Sequence, residues 1–290
     1  MAIDNSNIIV HALWIGKKLS PIELLCINSF IAQGHEFHLW LYDDIETVLP
    51  VGIKIEDASL IIPASEVFSY SEINQFGHGK GSYAGFSDIF RYKLLYEKGG
   101  WWTDMDVVCI KPLDFPDEYV FRTHHDFLTV GNVMKCPQRS DLMKRCFFEA
   151  KEKITTGNND WNLPIRILNN NVVNLGLLHF VKDFTNIDNW NYVKKFILYN
   201  AKVNNKWKII HLVNEDWNKN KIDKKAIPRW SFLGKLLKKY EIKQNAGFLS
   251  ELKNAFKIID IKNSFLRTYW FFSRVLWKVI RFFFKLKVNS

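Results

Sequence analysis

The 290-residue sequence predicts an α/β domain followed by a helical, basic C-terminal extension. Apolar segments at 7–15 and 37–42 are separated by one helix, which is the pattern of a β-α-β unit with parallel strands. Residues 201–290 carry 21 Lys and Arg against 6 Asp and Glu, whereas the rest of the chain carries 19 against 24. We therefore divide the chain into a domain at 1–229 and an extension at 230–290.

The first β-α-β unit is delimited by residues that begin and end helices. Ser20 precedes Pro21, and a serine cap followed by proline at the first helical position is typical of a helix start. That helix is predicted to end near Gly34. The next strand, 37–42, ends at Asp43.

The middle of the chain carries the most informative pattern. An amphipathic helix predicted over 84–98 runs into Gly99 and Gly100, which break it. A short aromatic strand follows, then Asp104 and Asp106, and then an apolar run that is typical of a buried strand.

Two carboxylates at the end of a buried strand are costly unless a cation compensates them. Mg²⁺ and Mn²⁺ do so well, because both prefer carboxylate oxygens together with the phosphate oxygens of a substrate. The spacing of Asp104 and Asp106 therefore indicates a site for a metal ion and a diphosphate. The alternative is an ordinary acidic turn in which one aspartate caps the backbone.

The remaining segments complete the domain. Residues 57–80 give no firm assignment, 119–135 predict two strands, and 138–153 predict a helix. The Asn-rich stretch 154–175 is expected to loop around a pocket.

Three chemically distinctive turns follow predicted strands: Trp14–Gly16, Tyr42–Asp43 and Asp104–Asp106. Ligands of open α/β sheets bind at the carboxyl ends of strands. We therefore expect these turns to meet at one edge of the sheet.

Cysteine usage and the N-terminus favour a cytoplasmic protein. The four cysteines form no CxxC pair, and Cys26 and Cys109 lie in apolar runs that predict buried thiols, as in a reducing compartment. The N-terminal residues show no basic segment before a long apolar stretch, so we expect no secretory signal.

The C-terminal extension is predicted to contain amphipathic helices at 233–240, 248–259 and 264–286. In the last, five basic residues fall within an arc of about 60° on a helical wheel, and aromatic and aliphatic residues occupy the rest. We expect 264–286 to lie in the interface of an anionic membrane. Packing on the domain or against a second copy is the alternative, and the aromatic density disfavours nucleic acid.

Three segments resemble glycosyltransferase family 32, a group of sugar transferases related to large glucosylating toxins. Asp88 and Arg91, the glycine pair and Thr103–Asp106 resemble the DXD region of that family. The opening segment 9–16 is similar to its first strand, with a histidine and then Trp-x-Gly. Residues 210–217 resemble its closing element, although Asp216 stands where the family more often has serine.

The resemblance implies a GT-A type, Rossmann-like nucleotide-sugar-binding domain and a site with three groups of residues. These are catalytic residues (Asp88, Arg91, Asp104), donor-binding residues (Trp14, Gly16, Asp104, Trp217) and metal ligands (Asp106, His211).

Individual roles follow from chemistry together with the resemblance. Asp106 is expected to bind the metal directly, and Asp104 to contact it through water or to bind the donor ribose. Arg91 is expected to hold a donor hydroxyl or phosphate, and Asp88 to accept hydrogen bonds from sugar hydroxyls. For the last two, a surface ion pair is the alternative.

The aromatic and histidine candidates each have a core alternative. Trp14 offers an aromatic face to a nucleobase, and Trp217 is expected to close over the donor. His211 is expected to complete the metal or diphosphate shell, or to be an ordinary strand-end histidine. Trp101 and Trp102 line either the sugar or the core. His11, within an apolar strand, is expected to be a core histidine.

The predicted activity is a Mn²⁺- or Mg²⁺-dependent, retaining transfer of a sugar from a UDP-sugar to a lipid-linked or cell-surface glycan, such as lipopolysaccharide or capsule, at the cytoplasmic membrane face. A protein acceptor, a non-catalytic membrane- or nucleic-acid-binding protein and a metal-dependent phosphodiesterase or nucleotidyltransferase are the alternatives. The last usually needs a second carboxylate or histidine cluster, which the sequence lacks.

Overall fold

A computed structural model describes residues 7–259, which form nine strands and eight α-helices. The strands are β1 (Ile9–Trp14), β2 (Glu36–Leu41), β3 (Lys54–Asp57), β4 (Gly100–Thr103), β5 (Val107–Cys109), β6 (Val120–Arg122), β7 (Val130–Cys136), β8 (Val181–Lys182) and β9 (Ile209–His211). The helices are α1 (Pro21–Ala32), α2 (Ala84–Lys98), α3 (Asp141–Lys153), α4 (Leu163–Asn174), α5 (Trp190–Leu198), α6 (Asn214–Lys219), α7 (Phe232–Lys239) and α8 (Phe248–Ile258).

Seven strands form the central sheet in the order β3-β2-β1-β4-β7-β6-β8. The four strands from β3 to β4 are mutually parallel, and β7 runs antiparallel to both β4 and β6. The predicted α/β class and the parallel pair of the first unit are therefore confirmed. Because β2, β1 and β4 are neighbours, the turns that follow them lie along one edge of the sheet, as predicted.

The first and second helices begin and end where the local chemistry dictates. The Ser20 hydroxyl caps α1, and the Glu23 carboxylate accepts a hydrogen bond from the Ser20 backbone N–H. Together these contacts form a capping box. Helix α2 spans the predicted residues and ends at Gly99, whose φ of 68° is a conformation that favours glycine. A Cβ there would lie 2.7 Å from the Gln138 backbone nitrogen, so only glycine fits this break.

Strands β5 and β9 form a separate antiparallel pair. The predicted strand after Asp106 is therefore real, but it leaves the central sheet and joins a segment about a hundred residues later. The two strands pack against α1 on one side, where Phe30 and Val107 share a buried cluster. On the other side Val108 and Ile210 share a cluster with α5, α7 and α8.

Helix α4 corrects the expectation of a loop over 154–175. Pro164 begins the helix, and its inward face buries Ile167, Leu168 and Val172. The asparagines that favoured a loop include buried members with specific partners. The Asn169 amide, for example, exchanges hydrogen bonds with the Thr129 backbone at 3.1 and 2.8 Å. The helical spacing of the apolar residues therefore determines the local structure here, despite the high Asn content.

The described part of the predicted extension packs on the domain. Leu233 and Leu237 of α7 and Ala255 and Ile258 of α8 are buried in the same cluster as Trp217. Described residues on both sides of position 230 therefore share one buried cluster. The predicted interfacial helix 264–286 lies outside the described residues. Among residues 7–259, no helix is long and apolar enough to cross a membrane.

Candidate functional site

The candidate site is built on the turn after β4. Asp104 follows Thr103 directly, and its backbone N–H donates to the Asn132 carbonyl of β7 at 2.8 Å. Two donors contact its Oδ1: Arg91 Nη2 and Trp102 Nε1, each at 2.8 Å. The direction of the Asp104 carboxylate is therefore fixed by helix α2 and by its own strand.

Arg91 joins two carboxylates. Its Nη1 lies 2.8 Å from Asp88 Oδ1, one helical turn earlier, and its Nη2 contacts Asp104. Arg91 is 5% exposed, so this is no surface ion pair. Breaking a buried pair costs about 3–5 kcal/mol, far more than a surface pair contributes.

Burial also changes the acidity of this cluster. Removal from solvent raises the pKa of Asp88 to about 6, even though Arg91 acts in the opposite direction. It raises the pKa of Asp104 as well. The cluster therefore combines one permanent cation with two carboxyl groups that hold protons more readily than in water.

Asp106 contacts the closing segment of the chain. Its Oδ2 lies 3.2 Å from His211 Nε2 and accepts the Asn214 backbone N–H at 2.7 Å. Its carbonyl accepts the Leu212 N–H at 2.9 Å. The structure thus brings together Asp106 and His211, the two residues predicted to bind metal.

The backbone between His211 and Asn214 is strained. Val213 has φ 48° and ψ 65°, a left-handed conformation that is unfavourable for a β-branched residue. Such strain persists only where surrounding contacts enforce it, and it is concentrated at functional sites. Here it turns the chain so that α6 begins with Asn214 against Asp106.

The donor set fits a divalent cation. The Asn214 backbone N–H donates to Asp106 Oδ2, which lies 3.2 Å from His211 Nε2, and the Oδ1 atom of the Asn214 side chain is buried with no hydrogen-bond partner among the described residues. An amide oxygen, a carboxylate and an imidazole are ligands that Mn²⁺ and Mg²⁺ accept. Burial lowers the pKa of His211, but Asp188 and Asp106 outweigh it and raise that pKa to about 10. A cation here would replace the imidazolium proton as the compensating charge.

Three further residues were not found from the sequence: Arg122, Asn186 and Asp188. Asp188 Oδ1 lies 2.8 Å from His211 Nδ1, and its other oxygen pairs with Arg122, which is 1% exposed. The Asn186 side chain bonds both the N–H and the carbonyl of His211. No local sequence motif identifies these three residues as part of the site, because they come from segments that are distant along the chain.

The predicted donor-binding residues are dispersed. Trp14 ends β1, and its buried Nε1 has no partner, which leaves a donor for a ligand; Gly16 follows in the same turn. Trp217 is 1% exposed, and its Nε1 donates to the Leu212 carbonyl at 2.7 Å. In this structure Trp217 therefore packs in the core and supports α6.

Other aromatic and histidine candidates belong to the core. Trp101 and Trp102 are 0% and 1% exposed, so neither lines an open sugar pocket. His11 accepts a hydrogen bond from Trp40 Nε1 at 3.1 Å, and burial lowers its pKa to about 3. This agrees with the predicted core role of His11.

A second group of metal-ligating atoms lies in the loop after β6. The side chains of His124, His125 and Asp126 come within 4.8 Å of one another. The last two are exposed, and His124 Nδ1 already accepts the Asp126 N–H at 3.0 Å. This group contains neither Asp106 nor His211, the two residues predicted to bind metal.

Comparison with known proteins identifies the class of enzyme. Residues 29–125 match the family described as a glycosyltransferase sugar-binding region containing a DXD motif. Asp104 and Asp106 lie within this match. The resemblance found in the sequence is confirmed: the chain carries a glycosyltransferase domain and is an enzyme of that class. The non-catalytic alternative has no support.

The remaining comparisons add little. A structure described as PaToxG glycosyltransferase shares 14% identity over 60% of this chain and 75% of that chain, with a TM-score of 0.39. A mutant transferase shares 12% identity over 72% of this chain and 95% of that chain, also with a TM-score of 0.39. No curated protein matches the chain.

Proposed function

We propose that this glycosyltransferase is a cation-dependent enzyme that takes a sugar from a UDP-sugar with retention of anomeric configuration. The single observation that supports the cation dependence is the contact of 3.2 Å between Asp106 Oδ2 and His211 Nε2 beside the turn after β4. The UDP donor and the retained configuration rest on the resemblance to family 32.

Asp106 and His211 would hold the ion, and Asp104 would contact it through water or bind the donor ribose. When bound, a divalent ion supplies charge compensation for the diphosphate leaving group. His211 contributes its Nε2 atom once the proton it shares with Asp106 has left. The strained turn at Val213 keeps the closing segment against the DXD turn.

Arg91 and Asp88 would act on the sugar side of the donor. Two carboxylates orient the Arg91 guanidinium. It would therefore contact the donor only on the side that these carboxylates leave free. Asp88 would accept hydrogen bonds from sugar hydroxyls, and Trp14 would offer its ring and its unpartnered N–H to the nucleobase. Each of these side chains is positioned before the donor arrives, which reduces the entropic cost of binding.

We further propose that the acceptor is a lipid-linked or cell-surface glycan at the cytoplasmic membrane face. The supporting observation is the charge distribution: 21 basic residues against 6 acidic ones after residue 200. Each basic residue near an anionic leaflet contributes about 1 kcal/mol to attachment. The aromatic residues of 264–286 would add a component that salt does not screen.

The direct test is a donor screen. Purified protein is incubated with UDP- and GDP-sugars in Mn²⁺, Mg²⁺ or EDTA, and released nucleotide is measured. Hydrolysis of a UDP-sugar only with a divalent ion is expected. Turnover in EDTA, or preference for a GDP-sugar, would contradict the proposal.

The acceptor is tested separately, with labelled donor and isolated membranes. Label in the lipid-linked glycan fraction is expected, and its anomeric configuration is read by NMR. Label in soluble protein alone would instead favour a protein acceptor.

A further inference from the structure

His211 is bound from three directions by one segment. Asn186 Oδ1 accepts the His211 backbone N–H at 2.7 Å, and Asn186 Nδ2 donates to the His211 carbonyl at 3.0 Å. Two residues later, Asp188 Oδ1 contacts His211 Nδ1 at 2.8 Å. The backbone and the ring of His211 are thus fixed together by residues 186–188.

Asp188 is itself fixed by a buried cation. Its Oδ2 accepts from Arg122 Nη2, while Arg122 Nε donates to Asn132 Oδ1. His124 Nε2 also lies 3.5 Å from Asp188 Oδ2. A guanidinium has no acceptor atom, so whatever faces Arg122 must accept. The two Asp188 oxygens are therefore divided, one for Arg122 and one for His211.

We propose that Asp188 is a positioning residue of the cation site and that Arg122 fixes which oxygen faces His211. An acceptor opposite Nδ1 keeps a proton on that nitrogen, so that Nε2 is the nitrogen left to bind a ligand on the Asp106 side once the proton it shares with Asp106 has left. Carboxylates that orient metal-binding histidines in this way are a general feature of metal sites. The inference rests on the proposed cation dependence.

Replacement of Asp188 by asparagine separates the two contacts. The introduced amide has one accepting oxygen, and Arg122 requires it. The amide NH₂ group then faces His211 Nδ1, which must accept, and the ring proton moves to Nε2. That nitrogen can no longer bind an ion.

The test is Mn²⁺ affinity, measured by titration calorimetry without donor. We expect Asp188→Asn to weaken binding by about 10- to 100-fold. Asp183→Asn is the matched control, because this carboxylate is exposed in the same segment. It should bind Mn²⁺ like the wild type. Equal affinity of Asp188→Asn and the control would overturn the inference.

Two double variants remove the buried Arg122–Asp188 charge pair. They test whether Asp188 positions the His211 ring even if Asp188→Asn alone does not fold. In Arg122→Met/Asp188→Asn the amide is released to present its oxygen to His211, so affinity should return to within a few-fold of the wild type. In Arg122→Met/Asp188→Leu no acceptor remains, and affinity should fall by about 10- to 100-fold. Equal affinities of these two would show that Asp188 does not position the ring.

The failure of the proposed function would look different. If wild-type protein binds no Mn²⁺, or if Asp106→Asn binds it unchanged, the cation dependence itself is wrong. If the wild type binds Mn²⁺ through Asp106 and all the Asp188 variants bind Mn²⁺ with the same affinity, only the positioning role of Asp188 is wrong. A ¹⁵N NMR measurement of His211 in the variants reports the ring tautomer independently of the metal.

Discussion

Gly131 offers a substitution that moves Arg91 without deleting it. Gly131 lies on β7 beside the guanidinium, and a Cβ at this position would lie 2.3 Å from Arg91 Nη1 and 3.4 Å from its Cζ. Non-bonded heavy atoms approach to about 3.5 Å, so Gly131→Ala must displace the guanidinium by roughly 1 Å.

The displacement acts on function more than on folding. Both ion pairs of Arg91, to Asp88 and to Asp104, are 2.8 Å long and would lengthen together. A misplacement of about 1 Å at a reacting centre costs about 100-fold in rate. Overpacking costs about 1–3 kcal/mol of stability, and Gly131 has no left-handed φ that would add strain to the alanine variant.

The assay is kcat/KM for sugar transfer or donor hydrolysis, with thermal unfolding measured in parallel. Gly157→Ala is the matched control, because nothing lies within 4 Å of a Cβ at that position. We expect kcat/KM of Gly131→Ala to fall by about 100-fold relative to the control. A folded Gly131→Ala protein with the activity of the control would refute the assignment of Arg91 to the site.

Three further outcomes are expected. Asp106→Asn should abolish both Mn²⁺ binding and transfer, because a neutral amide is a weaker ligand for a hard cation; calorimetry with unchanged Mn²⁺ affinity would argue against it. Burial raises the pKa of Asp88 in the folded protein from 3.8 to about 6. The folded state is therefore more stable at low pH, where Asp88 is protonated, than at higher pH, where a buried charge must form. That contribution, up to about 3 kcal/mol, should be lost as pH rises from about 4 to 6, and the difference in unfolding free energy between wild type and Asp88→Asn should show it. Deletion of 261–290 should abolish flotation with anionic liposomes and leave donor hydrolysis unchanged; flotation of the truncated protein would remove the tail from membrane attachment.

The sequence predicted those elements whose signals are local. Helix α2 has the predicted bounds because an apolar periodicity ends at two glycines that no other residue replaces easily. Helix α1 was recognised from Ser20 and Pro21 for the same reason. Asp104 and Asp106 were recognisable as site candidates because they are close together in the sequence. They also lie at the end of a strand, where two carboxylates are unfavourable without a compensating cation.

The parts that could not be predicted depend on distant contacts. Helix α4 was missed because its asparagines resemble loop residues until their buried partners are known. Asp188 and Arg122 belong to the site only through His211, and nothing in their own neighbourhood distinguishes them from other charged residues. Trp217 is buried in a cluster with residues of α5, α7 and α8, and its own segment of the sequence does not indicate these distant neighbours.

The pairing of β5 with β9 also has a consequence for the order in which the enzyme matures. Asp106 bonds to Asn214 across 108 residues of chain, and β5 has β9 as its strand partner among the described residues. During synthesis the DXD turn therefore emerges well before the strand that completes it, and contacts of such separation form late. A nascent chain that has passed the DXD turn and not yet reached His211 would hold two carboxylates with no closing segment. The proposed ion site should therefore give cation-dependent protection from proteolysis only in chains that extend beyond α6, and chains truncated before His211 should show none.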